Sequence, residues 1–262
     1  MPLDIDRYAH LDSPLRRWDP RFKLFSLGLF ILGVALIKDI PLSVMALAVA
    51  LVLVWQAGLP SHFVGGGVKW AALFLFPFFI IMPLSYPGES ALRLAGFPFA
   101  LEGLRLAVLI TLKAIAIVLT TYAIFGSNRF DVSMLALQRL KCPKIIVQML
   151  LFTYRYIFVF LAEMQRMDTA MRARGFVKKT DRRTLLVMGN FIGTLLIRSF
   201  ERTERIYKAM LSKGYQGEFH TLVTFEAIGK DWLKAAMVLA IAVLLLGADA
   251  MGVFRPAVQG WY

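Results

Sequence analysis

Residues 143–176 read PKIIVQMLLFTYRYIFVFLAEMQRMDTAMRARGF, and whether this stretch enters a membrane decides the fold. Pro143 suits the first turn of a helix, where its missing N–H has no intrahelical role. No Gly or Pro then interrupts the chain until Gly175. The stretch predicts one helix of about 31 residues, roughly 47 Å long at 1.5 Å per residue. Its first half, Ile145–Ala162, is apolar on every side, whereas Glu163–Thr184 carries Arg166, Arg172, Arg174, Lys178, Lys179, Arg182 and Arg183. Positive residues favour the cytoplasmic side of short loops. If Ile145–Ala162 crossed, those seven charges would stand on the wrong face. If it does not, it lies against protein or the inner leaflet.

The rest of the chain sets the frame for that choice. It has 262 residues, 58% hydrophobic and only 18% charged, more apolar than a soluble domain can bury. Thirty Lys+Arg against seventeen Asp+Glu give a net charge of +13. In so apolar a chain that excess belongs to loops facing anionic lipid or an acidic partner, and a nucleic-acid footprint is disfavoured. The single cysteine, Cys142, leaves no internal disulfide or cysteine metal cluster, and His10, His62 and His220 are far apart. Two dozen polar N-terminal residues give no cleavable signal peptide.

A spanning helix needs about 20 mostly apolar residues. Leu24–Ile37 is uncharged but short, so Lys23 and Lys38 would snorkel from its ends. Ile40–Pro60, Trp70–Gly88, Gly103–Gly126 and Ala235–Phe254 complete the set preferred on charge. The first 23 residues carry five Lys/Arg and are placed inside. Lys38–Asp39 is then outside, Leu59–Lys69 an inside loop, and Tyr86–Glu102 outside. All nineteen Lys/Arg between Ser127 and Lys234 then stay inside. The expected fold is an all-α integral membrane protein with about five transmembrane helices and a cytoplasmic coupling domain of long crossed helices. Residues 1–126 hold the N-terminal cytoplasmic segment and four spans, 127–232 the cytoplasmic helices, and 233–262 the last span and an outer tail.

Within the cytoplasmic part a second helix starts at a cap, Asp181 or Thr184, and runs to Lys213 before Gly214 stops it. Gly189 and Gly193 form a GxxxG spacing that permits close helix approach. The two helix ends are alike. Residues 163–176, EMQRMDTAMRARGF, and 202–215, RTERIYKAMLSKGY, share Arg166/Arg205, Ala170/Ala209, Met171/Met210 and Gly175/Gly214 at an offset of 39. Arg174/Lys213 and Phe176/Tyr215 are near-equivalent. Ordinary capping accounts for a cation and a glycine at either end alone; it does not require the same Ala-Met-x-x-cation-Gly-aromatic string twice. Two rigid rods with equivalent cationic tips fit two equivalent acidic grooves, as a dimeric partner presents them.

Other residues weigh less. Lys113, within the fourth span, reads as packing more readily than as an ion pathway, no acidic partner being evident in other spans. Asp249, near the outer end of the last span, reads as solvated. Pro77 and Pro83 bend the third span. The methionines fall at helical spacing and read as packing.

Three stretches resemble a known family, the transmembrane T subunit of energy-coupling factor (ECF) transporters, in particular its cobalt-type CbiQ member. They are Trp18-Asp19-Pro20-Arg21-Phe22-Lys23-Leu24, then Arg155-Tyr156-Ile157-Phe158-Val159 through to Ala173-Arg174-Gly175-Phe176, and Arg198-Ser199-Phe200-Glu201-Arg202 through to Ser212-Lys213-Gly214-Tyr215. The resemblance covers nearly the whole chain. It implies a non-catalytic subunit of an ATP-driven uptake transporter in the bacterial cytoplasmic (inner) membrane. Its partners would be two ABC-type ATPase subunits, a cobalt-binding membrane subunit, and optionally a small accessory membrane subunit. ATP and Mg would be bound by the ATPases and no cofactor by this chain. Ala173, Arg174, Gly175 and Phe176, with Ser212, Lys213, Gly214 and Tyr215, would contact the ATPases, supported by Arg166, Arg172 and Arg205. Lys213 stands where the family has arginine and lacks its planar fork. Nickel or a vitamin is the alternative cargo.

A membrane-embedded enzyme with a cytoplasmic-face site is the rival from another class; the sequence holds no HExxH, GxSxG or phosphate-cradling GKS/GKT loop. A secondary transporter would carry inverted repeats around a midplane site, whereas the repeat here is parallel in sequence. The sidedness has a direct test: a cysteine at Val177 should resist impermeant thiol reagents in intact cells and react in inverted vesicles, and external labelling would overturn the topology.

Overall fold

The computed structural model describes residues 13–85, 92–94, 97–99, 101–217 and 229–253. The expectations for the first dozen residues, His10, most of the Tyr86–Glu102 loop, His220, Phe254 and the outer tail lie outside the described residues. The chain divides into two units, residues 142–217 and the described residues of 13–141 with 229–253. The fold is all-α apart from one hairpin, in which β1 (Leu92–Leu94) pairs antiparallel with β2 (Phe97–Phe99).

The larger unit is a helical bundle of α1 (Pro20–Leu36), α2 (Ile40–Ala57), α3 (Ser61–Leu75), α4 (Phe78–Ser85), α5 (Leu101–Gly126), α6 (Phe130–Arg139) and α9 (Gly229–Ala250). Helix α5 is its axis, packed by α1, α2, α3 and α4, while α9 packs mainly on α1. Leu27, Phe30, Val34, Leu42, Ala46, Ala50, Ala116 and Ala123 form the fully enclosed core. Small residues at the contact faces let the backbones approach, as membrane packing favours.

The sequence around Trp18 builds the start of α1 one residue at a time. Asp19 caps the helix by accepting from the Arg21 N–H at 2.9 Å, and Pro20 occupies the first turn. The Arg21 guanidinium returns to the same carboxylate at 2.8 Å. Buried Trp18 donates its indole N–H to the Asp231 carbonyl, and Phe22 packs on Trp232, joining α1 to the start of α9. Lys23 does not snorkel. It is fully buried, donating to the Leu15 carbonyl and to Ser127 Oγ at 2.8 Å.

Three further expectations change. Residues 61–69 are helical, so the third stretch runs Ser61–Ser85 with a break at Phe76–Pro77 and Pro83 inside α4. Of the glycines in this stretch Gly67 serves packing: a Cβ there would overlap the Tyr122 ring on α5, whereas one on Gly65 or Gly66 would meet nothing. Asp249 is not solvated. It is 7% exposed and accepts the Lys38 and Asp39 N–H groups at 2.9 and 3.1 Å. Those donors immediately precede α2 and include its cap residue Asp39, so the carboxylate ties the last turn of α9 to the entry of α2. Lys113, for which no acidic partner was evident, donates to the Ala35 carbonyl at 3.0 Å.

Five stretches are long and apolar enough to cross a membrane: Ile40–Ala57, Ser61–Ser85, Leu101–Gly126, Lys144–Ala173 and Gly229–Ala250. The number agrees with the expectation, but one member differs. Helix α1 has 17 residues, the short end of the spanning range, while Lys144–Ala173, whose apolar half was expected to stay on the cytoplasmic face, is itself long and apolar enough to cross.

The smaller unit is α7 (Lys144–Ala173) and α8 (Arg182–Ser212), a crossed antiparallel pair. Pro143 stands at the cap and not inside the first turn. Asp181 is the cap of α8, accepting the Thr184 N–H at 2.7 Å. The two helices touch sparingly. At the crossing Glu163 of α7 binds Arg198 of α8, with Arg166 on the same carboxylate at 3.2 Å. Gly189 and Gly193 pack against nothing, so their spacing serves no contact within the described residues.

Two measurements test these joints. Asp249→Ala should lower bundle stability in detergent by about 2 kcal/mol, with Asp249→Asn losing about half as much because one acceptor remains. At the crossing, the Arg198 hydrogen bond, followed by the Arg166, Arg198 and Arg202 charges, holds the Glu163 carboxyl below its ordinary range. A depressed carboxylate contributes above its unfolded pKa and is lost as pH falls through its folded value. Hydrogen-exchange protection at the crossing, with each rate taken relative to the intrinsic amide rate at the same pH, should therefore stay flat from pH 7 to 5 and fall below about pH 4; Glu163→Gln should remove that dependence.

Candidate functional site

The two helix tips close with the same hydrogen bonds. At the end of α7 the Gly175 N–H donates to the Arg172 carbonyl at 2.9 Å and the Phe176 N–H to the Met171 carbonyl at 3.1 Å. At the end of α8 the Gly214 N–H donates to Leu211 at 2.9 Å and the Tyr215 N–H to Met210 at 3.0 Å. These are the paired bonds of a Schellman cap, which satisfy carbonyls left over at a helix end. Gly175 and Gly214 have φ of 76° and 83°, a left-handed conformation that costs any residue with a Cβ. Open space surrounds both, so the dihedral alone demands glycine.

Burial follows the same offset. Met171 and Phe176 are half-buried, as are Met210 and Tyr215. Between them Ala173, Arg174 and Gly175 are exposed, as are Ser212, Lys213 and Gly214. Each tip therefore presents a cation on a rigid turn. Arg174 and Lys213 form no ion pair among the described residues. The neighbouring cations are engaged: Arg172 binds Asp168 at 2.7 Å, Arg166 binds Glu163, and Arg205 donates to the Glu201 carbonyl at 3.3 Å. They neutralise or brace the shafts and leave Arg174 and Lys213 as available charges.

The tips are tied back differently. Behind the first, Lys178 binds Asp168 at 2.9 Å, and the Lys179 N–H donates to Thr184 Oγ1 at 3.2 Å. The Lys178 hydrogen bond, then the Arg172 charge, lowers the Asp168 pKa, and the Thr184 N–H lowers that of Asp181. Behind the second, Tyr215 Oη donates to Gln148 Oε1 at 3.3 Å, while Gln148 Nε2 donates to the Gly217 carbonyl at 2.9 Å. Phe176 has no hydroxyl to copy this. Gln148 was invisible to sequence reasoning because it is one polar residue in an apolar run. Glu163 lay inside the repeated segment, but its partner Arg198 is 35 residues away.

The structure brings the four residues of each tip together and does not bring the two tips together. Helix α8, about 46 Å long, lies between them. Beside the crossing, Phe160, Glu163, Arg198, Glu201, Arg202 and Arg205 line a polar groove. Among the described residues no three His, Cys, Asp or Glu side chains form a metal-ligand group.

The chain matches a family model described as CbiQ, cobalt transport protein, over residues 12–223, which include both tips. The energy-coupling factor transporter transmembrane protein EcfT of Heliobacterium modesticaldum is 26% identical over 262 residues, covering 93% of this chain and 96% of its own length. EcfT of Bacillus subtilis is 25% identical, covering 92% and 96%. The cobalt transport protein CbiQ of Rhodobacter capsulatus is 28% identical over 205 residues, covering 75% and 81%. The bundle, the paired tips and a match running across both units agree: this multi-pass membrane protein belongs to the CbiQ family of cobalt-type and ECF transporter membrane components.

Proposed function

We propose that this chain is the coupling subunit of an ATP-driven ECF-type uptake transporter for cobalt ions. It would sit in the bacterial inner membrane with the N-terminal segment and residues 127–232 on the cytoplasmic face. The observation that carries this reading is the pair of identical caps, each presenting one uncommitted cation, at opposite ends of α8. Two equal contacts held a fixed distance apart suit a two-fold partner, here two ABC-type ATPase subunits that bind the ATP and Mg. Each would receive one tip: Ala173–Phe176 in one, Ser212–Tyr215 in the other. The chain itself would perform no catalysis.

A helix transmits displacement because its backbone bonds resist bending. When the ATPases close, the tips are carried with them, and α7 and α8 turn about the Glu163–Arg198 crossing. Leu185, Ile192, Leu196 and Phe200 form an exposed apolar stripe on α8 at helical spacing, suited to a membrane subunit that carries the substrate, with a small accessory membrane subunit as a further partner. Cobalt is preferred because the relative from Rhodobacter capsulatus is named a cobalt transport protein. Nickel or a vitamin is the second reading, favoured by the EcfT relatives whose names specify no cargo. Selectivity would reside in the substrate-carrying partner.

Co-expression with the ATPases tests both the contact and its asymmetry. Arg174→Glu should reduce ATPase recovery at least about tenfold, the value of a lost charge-assisted hydrogen bond. Lys213→Glu should reduce it about threefold, because lysine lacks the paired donors of arginine. Equal losses would remove the asymmetry, and full recovery with both variants would remove the coupling role.

A further inference from the structure

Helices α2 and α9 touch only sparingly, and between them runs a slot open to the bundle exterior. Its walls include Ala48 and Val52 on α2 and Ile241 on α9, and its mouth is formed by Trp18, Gln56 and Lys234. On α2 the slot extends from Gln56 to Ala48, about 12 Å, and on α9 from Lys234 to Ile241, about 10 Å. One leaflet of the hydrocarbon core is about 15 Å thick. The slot is therefore about as long as most of a single leaflet is thick.

The mouth differs from the walls. Lys234 is exposed, as is Lys230 one turn earlier on α9, and Arg17 is exposed on the arm between lining residues Leu15 and Trp18. No ion pair holds Arg17, Lys230 or Lys234 among the described residues. The Trp18 ring is fixed in place by its bond to the Asp231 carbonyl. A tryptophan and Lys234 at the mouth of an apolar slot, with exposed Arg17 and Lys230 on the adjoining backbone, match an anionic phospholipid, with its phosphate at the cationic mouth and one acyl chain below. We infer that the α2–α9 slot is a binding site for one anionic phospholipid of the leaflet at the Trp18 end of the bundle. That leaflet is the inner one on the orientation proposed above. The lipid would fill the gap between two helices that do not otherwise close, and would stiffen the bundle at the end where α1 and α9 are joined.

Native mass spectrometry of the purified full chain in detergent, titrated with palmitoyl-oleoyl phosphatidylglycerol or the phosphatidylcholine of the same chains, tests this. The wild type should retain one phosphatidylglycerol in clear preference to phosphatidylcholine. Lys234→Gln should weaken the phosphatidylglycerol complex about fivefold and leave the phosphatidylcholine one unchanged, the value of one basic residue near an anionic surface. Ala48→Trp, at an exposed position, should fill the slot and reduce retention of both lipids; Val52→Trp provides a second filling variant should the first melt early. Equal retention of the two lipids by the wild type, or retention unaltered by Lys234→Gln and both filling variants, would overturn the site. So would a Val52→Cys cross-link to a membrane subunit in the assembled transporter. Micelles have no sides, so this result is independent of the Val177 labelling that tests the orientation.

Discussion

A helix leaves about four N–H groups over at its start and four carbonyls at its end, and much of this structure is arranged around meeting that demand where water is scarce. Asp19 closes the start of α1. The Lys38 and Asp39 N–H groups at the entry to α2 go to Asp249, 211 and 210 residues away in sequence. Lys113 reaches a carbonyl at the end of α1, and Trp18 reaches one at the start of α9. In lipid the cost of an unmet group is several kcal/mol, so these joints are both the fastenings of the bundle and the reason charged residues are tolerated in it.

At the two tips the same demand is met by the backbone itself. Glycine turns left-handed, two N–H groups fold back onto the last carbonyls, and no side chain is consumed. The cation at the cap is thus left exposed on a turn whose geometry is fixed from within. A flexible loop would lose entropy on docking; these turns have already given up that freedom. The shafts behind them are braced by ion pairs on exposed surface, individually weak, so the orientation of the tips rests more on helix continuity than on any one pair.

Much of this was legible in the sequence. The length of α7, the start of α8 at Asp181, the stopping glycines and the offset of 39 between the tips all follow from local rules about Pro, Gly and periodicity, and the family resemblance ran through the same residues. What failed was of one kind. Lys23 was given a snorkelling end and Asp249 a solvated one, and Leu59–Lys69 was read as a loop. Each error judged a residue by its neighbours in sequence, while its environment is set by Leu15 and Ser127, by Lys38 and Asp39, or by Tyr122. Gln148 gave no signal because its partners lie 67 and 69 residues on.

The sequence by itself determined where helices begin and end, that most of the chain is too apolar for water, and that one cationic turn is written twice. Those properties depend on dihedral preferences, hydrogen bonds within a few residues, and total hydrophobicity, all of which are local or additive. Only the tertiary structure decided which buried charges are satisfied, which residues pair where α7 meets α8, and that a slot remains between α2 and α9. These depend on which distant side chains meet, and contacts across tens or hundreds of residues leave no periodic trace in a single chain.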